Sequence, residues 1–140
     1  MEKIAESAFM YDRFHLDPKI PKEKSDELYK KWTVNCCKGL VDEVIICASA
    51  QDDKPLGFIA CKIDKSRHVG IIDLIAVSKN VRRKKIGSGL INAALNWFKR
   101  EGVDIVEVST QLTNTPAINF YLSADFKPHS SKVTFHKWLL

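Results

Sequence analysis

The sequence contains no long apolar run and no paired-cysteine motif. None of its apolar stretches approaches the ~18 residues that a membrane-spanning helix needs, and nothing after Met1 resembles a secretory leader. The four cysteines show no C-x-x-C spacing and no neighbouring histidine cluster, which argues against a zinc site and favours reduced thiols. These absences argue against a secreted, membrane or zinc-ribbon protein, and they predict a cytoplasmic protein without a bound metal.

The length and composition predict one globular domain. A chain of 140 residues falls within the range that folds around a single core. With 45% hydrophobic and 28% charged residues, its composition is that of an ordinary globular protein. We therefore expect a single domain over residues 1–140.

The positive charge is concentrated in one short segment. The net charge is +5, and the charges outside residues 79–85 cancel, so the excess resides in Lys79, Arg82, Arg83, Lys84 and Lys85. A surface for nucleic acid would spread its charge over a face and interleave aromatic rings, but no Phe, Trp or Tyr lies between Arg67 and Asn96. The segment is either a solvated basic turn or a local anion site, and the sequence that follows it favours the anion site.

Hydrophobic periodicity predicts a mixed α/β fold, antiparallel in its first half and with a parallel β-α-β unit later. The predicted elements are a short helix over 2–9, an irregular segment over 11–22, a helix from an N-cap at Ser25 to Gly39, strands over 44–50, 56–63, 69–77 and 103–108, a helix that ends near Gly102, a helix that begins around Pro116, and a closing strand over 132–140.

The strongest chemical signal is a strand, a basic glycine-bearing loop and a helix start in direct succession. Residues 82–89 read R-R-K-K-I-G-S-G after the strand that ends at Val77. A helix N-terminus offers unpaired N–H groups and a positive dipole end to an oxyanion, and Gly87 and Gly89 let the backbone approach a ligand closely. The loop lacks the G-K-S/T of a P-loop, and Asn92 stands where a dinucleotide motif has its third glycine. We predict a phosphate site with neither the ATP nor the NAD geometry.

This segment resembles motif A of the GNAT N-acetyltransferase superfamily, Gln/Arg-x-x-Gly-x-Gly/Ala after a strand that ends in valine. Arg82 takes the first position and Gly87 the last, whereas Lys85 replaces the middle glycine. If that position requires a positive φ, lysine costs roughly 1 kcal/mol or more. If it requires only an N–H, lysine is tolerated and adds a cation near the phosphate. We expect the second.

A second stretch carries the same resemblance. Residues 114–121 match N-x-x-A-x-x-F-Y and are followed by Phe126. In the superfamily this helix bears an asparagine that helps hold coenzyme A and a tyrosine near the thioester sulfur, which correspond to Asn114 and Tyr121. Asp125 occupies a position where glycine is common. The resemblance implies a GNAT fold with a central twisted sheet.

The N-terminal part is similar to the TDP-fucosamine acetyltransferase branch of that superfamily. The similarity lies in R-F-H-x-D-P over 13–18 and L-Y-x-x-W-x-x-N over 28–35. Members of the branch acetylate the 4-amino group of a TDP-linked deoxy-sugar and carry an additional N-terminal region. GNAT folds also begin with a strand, whereas this sequence predicts a helix first. We therefore expect a chain without that N-terminal strand or domain: a fragment, a short paralogue or a domain of a longer protein.

The resemblance implies that acetyl-CoA is the acetyl donor. Its pyrophosphate would lie on the backbone of 82–88 and its pantetheine along 75–77, where an N–H would stabilise the oxyanion. A phenol with a pKa of ~10 lies close to a thiol with a pKa of ~8.5, so Tyr121 would protonate the departing thiolate, while Asp73 or Glu107 would take the proton of the amine. The implied cofactor-binding residues are Ile75, Ala76, Val77, Arg82, Arg83, Lys85, Ile86, Gly87, Ser88, Gly89, Asn114 and Tyr121, and the implied catalytic residues are Tyr121 and Asp73.

The implied acceptor is a small primary amine, in first place an amino-sugar nucleotide such as a TDP-4-amino-deoxy sugar. Two alternatives stay open: acetylation of a protein N-terminus or lysine, and a non-catalytic acyl-CoA-binding module. Nucleic acid and membranes are not expected as partners, and a homodimer through edge strands is an expectation of the fold alone.

Other residues that often carry chemistry are interpreted as structural. The histidines at 15, 68, 129 and 136 are scattered, so we expect them at the surface or in caps. Tyr29, Trp32 and Trp97 have helical spacing typical of core positions, and Cys36 and Cys37 are expected to be buried in helix packing. Arg13 is either a surface arginine or a contact for a sugar-nucleotide phosphate.

Overall fold

A computed structural model describes residues 1–9, 12–135 and 137–139 and shows a four-stranded sheet with helices on both faces. The helices are α1 (Glu2–Ala8), α2 (Arg13–Leu16), α3 (Lys22–Asn35), α4 (Ile86–Arg100) and α5 (Thr115–Ser123), and the strands are β1 (Glu43–Ala48), β2 (Pro55–Asp64), β3 (Val69–Val77) and β4 (Ile105–Val108). A π-helical turn (Cys36–Leu40) follows α3, and a 3-10 turn (Lys79–Val81) follows β3. Within the described ranges, no helix is both long and apolar enough to cross a membrane.

The strands lie in the order β1-β2-β3-β4. The pairs β1–β2 and β2–β3 are antiparallel, and the pair β3–β4 is parallel. This confirms the predicted α/β architecture, in which antiparallel strands precede a parallel β-α-β unit. β4 pairs only with the first half of β3, Val69–Ile72. β4 ends at Val108, opposite Ile72, which leaves the second half of β3 open on one side.

Alternation along β2 divides the core into two layers. Phe58 and Ala60 pack with residues of α1 and α3, whereas Ile59 and Cys61 pack with residues of α4. All four side chains are fully buried. The sheet is therefore held between two helical layers, and both layers depend on the same strands.

A β-bulge at Asp73 reverses the alternation of β3. Ala60 pairs with Leu74 and Cys61 with Ile72, so Asp73 has no partner in β2. Ile72 packs in the α4 layer and Leu74 in the opposite layer, although residues two apart in a regular strand share a face. The extra residue thus changes the side to which the rest of β3 points.

Two N-terminal predictions are corrected by the structure. Residues 13–16 were expected to be irregular but form α2, because the Asp12 carboxylate accepts hydrogen bonds from the N–H groups of Phe14 and His15. Helix α3 begins at Lys22, immediately after Pro21, rather than after a cap at Ser25. Ser25 is instead buried inside the helix, where its hydroxyl could not serve as the cap.

The predicted closing strand is wrong for the residues that the structure describes. Residues 132–135 and 137–139 contain no strand, and His136 and Leu140 lie outside the described residues. Val133 and Phe135 are 75% and 91% exposed. A strand needs a neighbour that takes its backbone hydrogen bonds, and this segment does not pair with the free edge of β4.

Candidate active site

A cleft of about 770 Å³ lies at the end of β4, beside the half of β3 that β4 does not pair with. It is lined by the second half of β3, the loop and first turn of α4, α5, and residues of the N-terminal helices. Every predicted site residue except Gly89 and the alternative base Glu107 lines it: Asp73, Ile75, Ala76, Val77, Arg82, Arg83, Lys85, Ile86, Gly87, Ser88, Asn114 and Tyr121. The structure therefore brings together both parts of the sequence pattern, which lie about thirty residues apart in the chain.

The loop after β3 makes one end of the cleft cationic. Arg82, Arg83 and Lys85 line this end, and the Arg82 Nε donates to the Val77 carbonyl at 3.4 Å. Lys85 is the N-cap of α4, and its side chain makes no capping hydrogen bond. The first N–H groups of α4 are thus available to an anion, with the positive end of the helix dipole behind them.

Two residues that replace glycines of the resembled pattern have left-handed backbones. Lys85 has φ 61° and ψ 9°, and Asp125 has φ 63°. The expectation that position 85 requires only an N–H is therefore wrong. A left-handed conformation costs a residue with a Cβ roughly 1–2 kcal/mol, and Arg83, with φ 64°, adds to this strain in the same loop.

Gly87 lets α4 and α5 approach each other. A Cβ on Gly87 would lie 3.2 Å from the Phe120 Cζ, whereas a Cβ on Gly89 would meet no atom within 4 Å. Gly87 therefore lies against α5 and also lines the cleft. It places the helix that bears Asn114 and Tyr121 directly beside the basic loop.

Asn114 caps α5 and keeps part of its amide available. Its Oδ1 accepts from the Ala117 N–H at 3.2 Å, and its Nδ2 donates to the Thr110 Oγ1 at 3.2 Å. The predicted cap before Pro116 is confirmed. Because an amide nitrogen carries two hydrogens, one donor remains for a ligand in the cleft.

Tyr121 reaches the cleft from α5 and is enclosed by aromatic rings. Its ring centre lies 5.4 Å from that of Phe120 and 5.8 Å from that of Phe126. Burial raises the pKa of Tyr121 to about 12. The pKa of Tyr121 is therefore further above that of a thiol than was expected from the sequence. The phenol holds its proton more tightly and remains a proton donor at neutral and moderately alkaline pH.

Of the two predicted bases, only Asp73 lines the cleft. Its Oδ2 accepts a hydrogen bond from the Trp32 Nε1 at 2.7 Å and one from the Cys36 Sγ at 3.8 Å. The carboxylate of Glu107 is instead bound by the Arg67 Nη1, at 3.1 and 3.2 Å. Glu107 is therefore occupied in an ion pair on the surface of the sheet.

Three aromatic residues at the other end of the cleft were not predicted as part of the site. Phe9, Tyr29 and Trp32 all line it and form a row of stacked rings, with centre distances of 4.4 Å from Phe9 to Tyr29 and 5.9 Å from Tyr29 to Trp32. Tyr29 and Trp97 are buried as expected. Helical spacing identifies the face of α3 that turns inward, but it does not tell core from cleft.

His15 and Cys37 also differ from what was predicted for them from the sequence. The His15 side chain is only 7% exposed and lies between the carboxylates of Asp12 and Asp26, so it is not a surface histidine. Cys36 is buried as predicted, whereas Cys37 is exposed. The side chain of Arg13 lies outside what the structure describes.

Three relatives place these features among known proteins. An uncharacterized N-acetyltransferase of Methanocaldococcus jannaschii is 33% identical over 76% of this chain and 47% of its own length. N-alpha-acetyltransferase 30 of Saccharomyces cerevisiae is 33% identical over 51% of this chain and 43% of its own. The dTDP-fucosamine acetyltransferase of Escherichia coli O6:H1 is 25% identical over 89% of this chain and 52% of its own. The chain thus spans about half the length of the curated relatives it matches.

Solved structures agree on the fold. A Pyrococcus horikoshii protein aligns with a TM-score of 0.71 at 22% identity, over 94% of this chain and 84% of that one. A Bacillus anthracis structure described as a streptothricin acetyltransferase in complex with acetyl coenzyme A aligns with a TM-score of 0.53 at 28% identity, over 57% of this chain and 44% of that one.

The family match covers the elements that build the cleft. The model of the acetyltransferase (GNAT) family matches residues 7–126, from the end of α1 to Phe126, whose ring lies beside that of Tyr121. It includes the basic loop, the bulged strand and both motif-bearing helices. This chain therefore belongs to the acetyltransferase (GNAT) family.

Proposed function

We propose that this chain transfers the acetyl group of acetyl-CoA to a primary amine, with formation of an amide bond and release of the coenzyme A thiol. One observation carries the proposal. A single cleft joins an uncapped, cationic helix N-terminus, the open edge of β3, a phenol and a carboxylate. These four features suit a pyrophosphate, an amide-bearing pantetheine arm, a departing thiolate and an attacking amine, respectively.

The residues present fit this substrate, and each has a distinct task. Bound acetyl-CoA would supply the acetyl group as a reactive thioester. The N–H groups at the start of α4, with Arg82 and Lys85, would hold its phosphates. A backbone N–H of β3 beyond the bulge would donate to the thioester oxygen as negative charge develops there. Tyr121 would donate its phenolic proton to the departing sulfur, and Asp73 would accept the proton lost by the amine, directly or through water.

For the acceptor, we propose an amino sugar, and an amino-sugar nucleotide as the first compound to test. The similarity to the dTDP-fucosamine acetyltransferase of Escherichia coli supports this choice, as does that to the spore coat polysaccharide biosynthesis protein SpsD of Bacillus subtilis, which is 24% identical over 97% of this chain. A protein N-terminus is the second candidate, supported by the similarity to the yeast N-alpha-acetyltransferase. The cytoplasmic location and the homodimer stay predictions.

Two measurements test the proposal in sequence. Calorimetric titration with acetyl-CoA, against inorganic polyphosphate as control, should show saturable one-to-one binding of the coenzyme alone. Release of free thiol should then depend on an added amine, which separates a transferase from a non-catalytic acyl-CoA-binding module. A TDP-amino sugar and a peptide with a free N-terminus are the two acceptors to compare. Failure to bind acetyl-CoA would refute the proposal.

A further inference from the structure

We propose that Trp32 and Cys36 position Asp73 through one carboxylate oxygen, so that its other oxygen anchors the ammonium group of the acceptor before transfer. This inference rests on the proposed function, because it assigns the acceptor end of the same cleft. It makes Trp32 and Cys36 positioning residues, and it specifies the acceptor as a primary ammonium borne on a ring or branched skeleton with an apolar face.

The two donors come from one side of one helix. Trp32 and Cys36 are four residues apart at the end of α3, so their side chains lie on the same face, one turn apart. Both donate to the Oδ2 of Asp73, the indole at 2.7 Å and the thiol at 3.8 Å. Among the described residues, none donates to Oδ1, which leaves that oxygen to a ligand in the cleft.

The bulge supplies the partner of these donors. Asp73 is the unpaired extra residue of β3, it lines the cleft, and it follows directly after Ile72, the last residue of β3 that pairs with β4. Bulges are a common means of re-aiming a side chain next to a functional site. The carboxylate is thus fixed from two sides, by the backbone bulge and by α3.

The charge at this end of the cleft favours a cation. Burial, with a contribution from Asp73, raises the pKa of Cys36 to about 11, so Cys36 remains a neutral thiol donor and adds no second negative charge. Asp12 also lines the cleft, but its carboxylate is engaged by the N–H groups of Phe14 and His15 and by the ring of His15. Asp73 is therefore the carboxylate with an oxygen to offer.

The aromatic row beside Asp73 defines the rest of the acceptor. The indole that holds Asp73 is itself stacked on Tyr29, and Tyr29 on Phe9. These rings line the cleft next to Asp73, so the carbon skeleton that bears an ammonium group bound at Asp73 could pack against an aromatic ring. The geometry suits a primary amine carried on a cyclic or branched carbon skeleton, such as the ring of an amino sugar.

A direct test needs no catalysis. In a spectrum of the ¹⁵N-labelled chain, the indole N–H signal of Trp32 is the one that disappears in Trp32→Phe. It should shift in a saturable way on addition of cyclohexylamine at neutral pH, where the amine is an ammonium, and not on addition of cyclohexanol. The Trp138 indole, which donates to the Asp17 Oδ2 at 3.3 Å outside the cleft, is the internal control and should not move.

Two results of this titration would overturn the inference. One is a Trp32 signal that does not move with cyclohexylamine. The other is a response that persists in Asp73→Asn or that is the same with cyclohexanol. Because acetyl-CoA takes no part in the titration, these outcomes are independent of whether the chain transfers acetyl groups.

Kinetics with an active acceptor provide the second readout. Trp32→Phe removes the donor and keeps a ring, so it should raise KM for the amine about tenfold while KM for acetyl-CoA changes less than about twofold. In an Asp73→Asn background the same substitution should have almost no further effect on KM, since the hydrogen bond has lost its charged partner. Trp138→Phe is the matched control and should behave as wild type. Additive effects of the two substitutions would show that Trp32 acts only through general packing and would overturn its positioning role.

Discussion

At the residue scale, Lys85 combines a strained backbone with a useful charge. Lys85→Gly should relieve the left-handed conformation and raise the free energy of unfolding by about 1 kcal/mol. The same substitution removes an exposed cation from the cationic end of the cleft, so acetyl-CoA should bind about two- to fivefold more weakly. Urea denaturation and calorimetric titration measure the two effects separately.

Asp125→Gly is the matched control for this pair of effects. Asp125 has the same backbone conformation but lies outside the cleft lining. Asp125→Gly should raise the free energy of unfolding by less than Lys85→Gly does, because aspartate tolerates the left-handed region better than lysine. It should leave acetyl-CoA binding unchanged. If the Lys85→Gly variant were more stable than the wild type and bound acetyl-CoA as tightly, Lys85 would have no role in holding phosphate.

Tyr121 permits a prediction about chemistry alone. Tyr121→Phe removes the phenolic proton but preserves the ring that packs between Phe120 and Phe126. Turnover should fall about 100-fold or more, with acetyl-CoA affinity nearly unchanged. Since the pKa of Tyr121 is about 12, the wild-type rate should show no loss between pH 7 and 10 that is due to this group. Unchanged turnover in the variant would remove Tyr121 from the mechanism.

The placement of these residues on their elements was predictable because it depends on local chain order. A strand, a basic loop and a helix start follow one another directly, and so do Asn114, Pro116 and Tyr121, so each motif could be placed on its element without tertiary information. The φ of Lys85 was predicted wrongly, because a residue type constrains its own backbone only weakly. The contact of Trp32 with Asp73 joins residues forty-one positions apart, and no local pattern encodes it.

At the scale of the elements, α4 can pack closely on β3 because Gly70 of β3 has no side chain. A Cβ on Gly70 would lie 2.6 Å from the Cδ1 of Phe98, which is fully buried. Gly70→Ala should therefore force α4 away from the sheet and lower the free energy of unfolding by about 1–3 kcal/mol. Gly89→Ala, on the same helix but facing open space, should instead stabilise by about 0.5–1 kcal/mol. A neutral Gly70→Ala, measured by thermal unfolding of both variants, would contradict this account of the α4 packing.

The short helix α2 is attached to α3 by a charged histidine. Burial, the largest single influence, lowers the pKa of His15, but hydrogen bonds and charge from Asp26 and Asp12 together raise it above the usual 6.5. A protonated ring donates to both carboxylates, to Asp26 at 2.9 Å. This stabilisation is fully present below pH 6.5 and is lost as the pH rises through the higher pKa of the folded state.

The stability of the chain should therefore decline as the pH rises above 6.5, for a specific reason. The free energy of unfolding of the wild type, relative to that of His15→Gln, should be largest below pH 6.5 and should decrease as the pH rises above it. Urea denaturation at a series of pH values from 6 to 9 measures this difference. A difference that is constant across the series would show that His15 carries no proton-linked stabilisation.

Some elements could be predicted from a run of residue types, whereas others could not. β3 was predicted over its full extent because it is a nearly continuous apolar run between turns, interrupted only by Asp73. Its bulge was not, because burial of both faces hides a change of alternation. Helix α2 was missed because its formation depends on a single capping carboxylate. The closing strand was expected from β-type composition alone, but composition does not provide a sheet edge to pair with.

At the scale of the whole molecule, the two core layers cannot unfold independently. Both layers are anchored on β2 and β3, whose alternate side chains face α4 on one side and α1 and α3 on the other. The cleft uses residues from both layers, since α4 supplies its cationic end and α3 its aromatic end. Loss of either layer would therefore abolish the cleft as well as expose the shared strands.

This arrangement predicts one cooperative transition that acetyl-CoA shifts as a unit. Thermal unfolding should give a single transition by far-ultraviolet circular dichroism and by tryptophan fluorescence, because Trp32 and Trp97 report on opposite layers. Acetyl-CoA at about 100 times its Kd should stabilise the folded chain by about 2.7 kcal/mol, and both signals should move to the same higher temperature. Inorganic pyrophosphate at the same concentration should produce a smaller shift, because it occupies only the cationic end. Separate transitions for the two probes, or a shift of only one of them with acetyl-CoA, would mean that the N-terminal layer folds apart from the layer that binds the coenzyme.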